Sequence, residues 1–351
     1  MLRKLTRAQA WLLLAALAAA CAWAAALAGA HPRGWTSSEI PPYSDQQLYR
    51  DIAKAVAIGQ DYYAAATTLH RQHGFPTVPF VTVRLPTLVV AAAAIGWNAL
   101  HAILVALLAA IAIVWYAVLQ GALSKAERFG VVVFAALGGA VVAVPVAVPH
   151  HDQWAGLLLT LALPLRGGRA WPAAVACAAA ALAIRELAIA FVLLALAFAI
   201  AERRWREAAG WAVLTGVFIA AMAWHAHMVA AHVLPGDIRS PGWTGMRGPA
   251  GTVGDVVAVS VLQVLPPLLG APLVVAALFG WLGAPSRIAW FVLLWLLGFG
   301  TAIALFGRDN TTYWAVELMP AWLMGLAFLP RAARDLRAAV EGRGAREPAE
   351  A

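Results

Sequence analysis

Long apolar runs separated by short polar breaks dominate this sequence. Most of the runs approach the roughly 20 residues that an α-helix needs to cross the hydrocarbon core of a bilayer. The pattern predicts spans at residues 9–30, 98–123, 129–149, 153–166, 207–232, 266–284, 288–306 and 313–330. Two shorter spans are predicted within residues 171–201, which gives about ten crossings in all. The predicted fold class is therefore all-α, a polytopic bundle of transmembrane helices.

The polar breaks predict the direction of each span, because Lys and Arg are enriched in cytoplasmic loops. Basic clusters lie at residues 3–7, 125–128, 166–169, 203–206, 287 and 331–346. Placing all of them in the cytoplasm puts both termini there and leaves the first long loop, residues 31–84, outside. The high Ala, Arg and Gly content is typical of a GC-rich bacterial genome. The predicted location is thus the inner (plasma) membrane, with the outer loop in the periplasm.

Four segments depart from a simple succession of spans. Residues 85–96 end at Gly96-Trp97-Asn98 and are predicted to form a half-helix in the outer leaflet. The two short spans of 171–201 are predicted to turn at Arg185-Glu186. Residues 253–265 are amphipathic and suit the membrane interface. Residues 1–330 are accordingly predicted to form a single transmembrane bundle, and 331–351 a disordered cytoplasmic tail.

Composition supports a lipid environment. The hydrophobic set makes up 63% of the 351 residues and charged residues only 12%, with a mean hydropathy of +0.77. Soluble proteins carry about 25% charged residues. The net charge of +8 would suggest a nucleic-acid partner in a soluble protein, but cytoplasmic basic clusters give the same total, and we predict no nucleic-acid partner. A cleavable signal peptide is the alternative interpretation of residues 1–30, although the apolar run of about 20 residues favours an uncleaved span.

The first outer loop carries the most informative pattern. Ser44 is suited to cap a helix that begins at Asp45, which places a carboxylate at the positive end of the helix dipole. Apolar residues recur at helical spacing and predict a helix lying at the membrane surface, ended by Gly59; they are Leu48, Ile52, Ala55 and Val56. A solvated amphipathic connector with a capping acid is the alternative interpretation.

Charged residues near the hydrocarbon are costly and therefore candidates for function. Asp152, Arg185 and Glu186 fall in this class, and a turn, His150-His151-Asp152, precedes the fourth span. The alternatives are an internal ion pair and an ordinary polar turn. All of these residues, with Arg84 and Arg308, are predicted on the outer side, where one cavity can hold them.

Other chemistry is weakly represented. His225 and His227 lie two residues apart, whereas helical metal ligands usually lie three or four apart, so no metal site is predicted there. Cys21 and Cys177 both lie in apolar runs and do not suggest a disulfide framework. Phosphate-binding, dinucleotide, serine-nucleophile and zinc motifs are absent from the sequence.

The order of these features resembles the C-type superfamily of integral-membrane glycosyltransferases, which use polyprenyl-phosphate sugar donors. The resemblance is carried by an acid, a tyrosine and a Gly-x-x-Tyr-Tyr-like element in the first outer loop, a Pro-rich segment, a second acidic turn, a charged pair between short helices and a late Tyr-Trp with Pro. In this chain these are Asp45, Tyr49, residues 59–63, Pro76, Pro79, residues 84–86, His151-Asp152, Arg185-Glu186, Tyr313-Trp314 and Pro320. Ser44-Asp45 stands where several subfamilies have a doubled acid.

The resemblance implies an enzyme that moves a sugar from a polyprenyl-phosphate donor to an envelope glycan or lipid, with inversion and with Asp45 as general base. It implies substrate-binding roles for Arg84, Arg185 and Arg308 toward the phosphate and for Asp152 toward acceptor hydroxyls or a divalent cation. Further substrate-binding candidates are Tyr49, Tyr63, His151 and Glu186. Two other hypotheses remain open at this stage: a transporter or flippase with a charged outward cavity, and a non-catalytic scaffold in envelope synthesis.

Overall fold

The structure is a computed structural model that describes residues 2–30 and 43–343. It is helical, and no extended strand occurs within these residues. The α-helices are α1 (Arg7–Ala30), α2 (Asp45–Ala57), α3 (Tyr62–Gln72), α4 (Thr87–Ile95), α5 (Trp97–Val118), α6 (Lys125–Gly138), α7 (His151–Leu165), α8 (Trp171–Ile184), α9 (Ile189–Ala201), α10 (Trp205–Ala230), α11 (Gly248–Ala258), α12 (Pro267–Trp281), α13 (Ser286–Phe306) and α14 (Ala321–Val340). Short 3₁₀ segments lie at Leu2–Lys4, Phe80–Thr82, Ala140–Ala143, Pro145–Ala147, Glu186–Ala188, Val261–Val264 and Asp309–Leu318. The prediction of an all-α fold is confirmed.

Four described helices are long and apolar enough to cross a membrane. They are α1, α5, α10 and α13. The segment Asp309–Leu318 and α14 pass the same test together but are bent by 58°. Shorter apolar helices, α8, α9 and α12 among them, accompany these. Several helices can therefore span a membrane, as the hydropathy pattern predicts.

Local signals in the sequence place several helix ends. The Ser44 hydroxyl accepts a hydrogen bond from the Gln47 N–H, and α2 begins at Asp45 as predicted. Gly96 separates α4 from α5 with a φ of +83°. Glycine is suited to this position, because residues with a side chain rarely adopt a positive φ. A break also separates α8 from α9 at Arg185 and Glu186.

Three predicted segments differ from the structure. Residues 129–149 do not form one helix, because α6 ends at Gly138 and two 3₁₀ segments follow, the second starting at a proline. The last span does not run from 313 to 330, because a non-α segment precedes Pro320 and α14 begins at Ala321. The same helix continues to Val340, so the tail prediction is wrong for residues 331–340. Residues 31–42 of the predicted outer loop and 344–351 of the tail lie outside the described residues.

The chain divides into two compact units by its internal contacts. The single transmembrane bundle over residues 1–330 stays a prediction. The first unit contains the described residues within 1–36, 108–140 and 244–351. In it α14 packs on α1, α6 and α12. The helices α12 and α14 approach closely at Gly280 and Gly325, where a Cβ on Gly280 would overlap the Gly325 carbonyl. Small residues at a helix crossing permit such an approach between membrane helices.

The continuation of α14 has a packing reason. Ala332, Leu336 and Ala339 lie at helical spacing and are buried against Leu2 and Phe279. The charged residues on the rest of this helix are paired, since Arg331 binds Glu127 and Asp335 accepts from Arg3. An apolar stripe thus makes this charged stretch a packed helix.

The second unit contains the described residues within 37–107 and 141–243. The helix α2 packs on α3 and α4, α7 packs on α8, and α10 packs on α8 and α9. This arrangement brings the first turn of α2, the first turn of α7 and the break between α8 and α9 into one unit. All but one of the site residues predicted from the sequence lie here.

Candidate functional site

A buried ion network forms the centre of the second unit. Arg185 Nε donates to Asp152 Oδ1 at 2.7 Å, and Arg185 Nη1 donates to Glu186 Oε1 at 2.6 Å. Arg185 and Asp152 are almost completely buried. Asp152 lies in the first turn of α7, and the break after α8 frees Arg185 to point at it. Burial of such charges is tolerated because each is paired and hydrogen-bonded.

Arg84 extends this network from the loop that precedes α4. Its Nη1 donates to Glu186 Oε1 at 3.1 Å, so Glu186 receives two guanidinium groups. The main chain at Arg84 is also held, because the Tyr62 hydroxyl donates to the Arg84 carbonyl at 2.6 Å. Two residues separated by more than 100 positions, Arg84 and Glu186, are therefore fixed against each other.

Asp45 lies beside this network at the N-terminus of α2. Burial raises the pKa of its carboxyl, while Arg84, His150 and Arg185 act to lower it and Asp152 to raise it. Within the described part of the chain, no ion pair or hydrogen bond engages the Asp45 carboxylate, which is partly exposed. Asp45 thus combines a raised pKa with a partly exposed carboxylate that no described residue binds.

The turn before α7 carries two histidines with different surroundings. His150 forms a hydrogen bond with the Gln46 side chain, and burial lowers its pKa although Asp152 and Asp45 oppose this. His151 is buried, and its ring packs edge-to-face on Tyr49 with centroids 4.6 Å apart. Tyr49 therefore contacts the acidic turn through His151.

Gln153 is a polar residue that the sequence analysis did not single out. It is buried, and neither its amide nitrogen nor its amide oxygen has a hydrogen-bond partner in the described structure. Buried amides are normally paired, so this group has unused hydrogen-bonding capacity next to Asp152 in the chain. Its position one residue after a charged turn is the signal that could have identified it.

Tyr63 and His225 hold the segment that leads to Arg84. Tyr63 Oη lies 3.2 Å from His225 Nδ1, and His225 Nε2 lies 2.9 Å from the Val83 carbonyl oxygen. The predicted substrate candidate Tyr63 thus has a structural contact with α10. In the described residues no group of three or more His, Cys, Asp or Glu side chains is arranged to hold a metal ion.

A clasp joins two loops of the second unit. Asp237 accepts hydrogen bonds from Arg71 Nε at 2.6 Å and from Thr77 Oγ1 at 2.9 Å. Backbone hydrogen bonds continue the contact from Thr77 to Ile238 and from Ser240 to Val78. The loop after α3 and the loop after α10 therefore lie together in the second unit.

Arg308 is the one predicted residue that the structure assigns to the first unit. Its carbonyl oxygen accepts from Arg247 Nη1 at 3.3 Å, and Arg247 also pairs with the buried Asp255 at 2.7 Å. Asp45, Arg84, Asp152, Arg185 and Glu186 are the residues that the structure brings together in the second unit.

Comparison with known proteins gives no relative. No family model, no curated protein and no solved structure matches the chain.

Proposed function

We propose that this chain is an inner-membrane glycosyltransferase that moves a sugar from a polyprenyl-phosphate donor to a glycan or lipid acceptor, with Asp45 as general base. The observation that carries the proposal is the difference among three neighbouring carboxylates. Asp152 and Glu186 are bound by arginines, whereas Asp45 has no bound cation in the described structure. A general base needs a free carboxylate, and a pKa raised by burial strengthens it.

The membrane placement belongs to the same proposal. We place the basic clusters and both termini in the cytoplasm and the loop before Arg84 in the periplasm, with about ten crossings in the chain. The clasp between the two loops of the second unit supports this sidedness, because both loops are assigned to the periplasmic side. Asp45 then acts at the outer face of the bilayer, where a polyprenyl-phosphate head group is accessible.

The proposed reaction is a single displacement. Asp45 takes the proton from an acceptor hydroxyl as that oxygen attacks the anomeric carbon of the donor. The bond from this carbon to the phosphate oxygen breaks, and the lipid phosphate leaves with the electron pair, so the configuration inverts. Arg84 is the guanidinium best placed to stabilise the leaving phosphate, because Arg185 is more deeply buried and bound to two acids.

The test is transfer in proteoliposomes with radiolabelled polyprenyl-phosphate sugars and with extracted envelope lipids and glycans as acceptors. We expect Asp45→Asn to abolish label transfer while the protein remains folded. Asp51→Asn is the matched control, because Asp51 lies on the same helix and pairs with Lys54. Transfer that survives in Asp45→Asn would exclude this residue as the base.

The assay also separates the other functions considered. A transporter or flippase would move labelled lipid between leaflets without forming a new glycosidic bond. In that case neither the wild type nor Asp45→Asn would form a glycosylated product. A scaffold would show neither movement nor transfer. Only a product that requires Asp45 supports the proposed reaction.

A further inference from the structure

An apolar groove of about 320 Å³ lies on the first unit, far in sequence from the site described above. Three helices line it. Its lining includes Leu13 and Leu17 on α1, Phe279 and Leu282 at the end of α12, and Trp290 and Leu294 on α13. Trp290 is 52% exposed, so the groove is open along one side.

One end of the groove is marked by charge. Arg287 lies three residues before Trp290 on α13, so the two side chains share one face of this helix. Trp290, Leu293, Leu294 and Leu297 continue that face at helical spacing and line the groove. The exposed guanidinium of Arg287 therefore lies one helical turn before the apolar residues of α13 that line the groove.

More positive charge gathers near the same end. Phe279 and Leu282 of the groove pack in a cluster with Leu2, Leu5 and Leu336. Exposed basic residues neighbour these in the chain: Arg3, Lys4, Arg7, Arg334, Arg337 and Arg343. The acids that pair with these residues, Asp335, Glu341 and Glu127, are fewer, so this end of the first unit is net positive.

We propose that this groove binds one acyl chain of an anionic phospholipid, with the phosphodiester held by Arg287 and the neighbouring basic residues. The apolar lining matches a hydrocarbon chain, and the adjoining positive charge selects an anionic head group over a zwitterionic one. This inference rests on the membrane placement proposed above but not on the glycosyltransferase reaction.

The experiment measures tryptophan quenching in nanodiscs that contain the full chain. Two titrations are compared, one with phosphatidylglycerol that carries brominated acyl chains and one with brominated phosphatidylcholine of the same chain length. The Trp290 signal is obtained as the difference between wild type and Trp290→Phe. We expect phosphatidylglycerol to quench this signal at about fivefold lower mole fraction, and the preference to weaken at high salt.

Two variants test the head-group contact. Arg287→Gln should reduce the preference for phosphatidylglycerol toward unity while quenching by both lipids persists. Arg206→Gln is the control, because Arg206 is an exposed arginine in the second unit and its loss should leave the preference unchanged. Melting temperatures in detergent verify that each variant is folded.

Two results would overturn the proposal. Equal quenching of Trp290 by the two brominated lipids would show that the groove does not select charge. Absence of Trp290-specific quenching would show that lipid does not enter it, and chemical cross-linking through Leu294→Cys would then reveal a second copy of the chain in its place. Either result leaves the transfer assay with Asp45→Asn unaffected.

Discussion

Arg185 Nε donates to Asp152 Oδ1 at 2.7 Å across 33 positions of sequence, and both side chains are buried. Removing one partner of a buried pair leaves the other charge uncompensated, which costs about 3–5 kcal/mol. We therefore expect Arg185→Gln to lower the melting temperature in detergent strongly. The double variant Arg185→Gln with Asp152→Asn should lose less than the sum of the single losses. Additive losses would show that the two groups act independently.

The pH dependence of Asp45 follows from burial, which raises its pKa. The folded chain therefore holds this proton to a higher pH than the unfolded chain does. Stability falls as the pH rises from the ordinary pKa of 3.8 through the raised value, and it is constant above that value. Asp45→Asn should be more stable than wild type at neutral pH, and the difference should vanish below pH 3.8.

The activity of the wild type should change in the opposite direction. Transfer requires the carboxylate form, so the rate should rise as the pH passes through the raised pKa of Asp45. A pH–rate profile of single-turnover transfer measures this limb. A rate that is flat over the whole range above the ordinary pKa of 3.8 would contradict the proposed base.

The crossing of α12 and α14 gives a prediction about packing. A Cβ at Gly280 would overlap the Gly325 carbonyl, so Gly280→Ala should destabilise the protein by about 1–3 kcal/mol. Gly216→Ala is the matched control, since Gly216 is helical and no atom outside its own stretch of helix backbone lies within 4 Å of its Cβ position in the described structure. Thermal unfolding of both variants in one detergent provides the comparison; equal melting temperatures would exclude a tight crossing.

The clasp between the loop after α3 and the loop after α10 predicts that a substitution of Asp237 affects these two loops only. Burial acts to raise the pKa of Asp237, but hydrogen bonds from Leu234, Thr77 and Arg71 lower it overall. Its contribution to stability is therefore present above the ordinary pKa of 3.8 and is lost as the pH falls through the lowered value. Asp237→Ala should increase hydrogen exchange in residues 71–82 and 232–243 without changing exchange in α14. Unchanged exchange in both loops would show that the backbone contacts suffice.

Local chemistry explains which parts of the fold were predictable. Ser44 is a favourable cap and Gly96 adopts a positive φ, so each determines a helix end through its own conformation. The break at Arg185 was predictable because a charge interrupts an apolar run of unusual length. The sequence also indicated Asp45 as the acid at a helix start.

Contacts between residues distant in sequence could not be predicted from the sequence pattern. The charged stretch after residue 330 resembled a disordered tail, because the residues that cover Leu336, such as Leu2 and Phe279, lie far from it in sequence. The pairing of Arg84 with Glu186 depends in the same way on how helices meet, and so does the amide of Gln153, which has no partner among the described residues. Side-chain geometry of this kind is set by tertiary packing rather than by spacing.

The division of the chain into two units also constrains its synthesis. The second unit lies within residues 37–243, whereas the first needs α14, which packs on α1 and on the segment Leu2–Lys4. When the ribosome has passed residue 243, every segment of the second unit has been made, but α1 still lacks α12 and α14. The unit that holds Asp45 can therefore fold cotranslationally. The N-terminal helix α1, in contrast, cannot complete its packing until α12 and α14 have been translated.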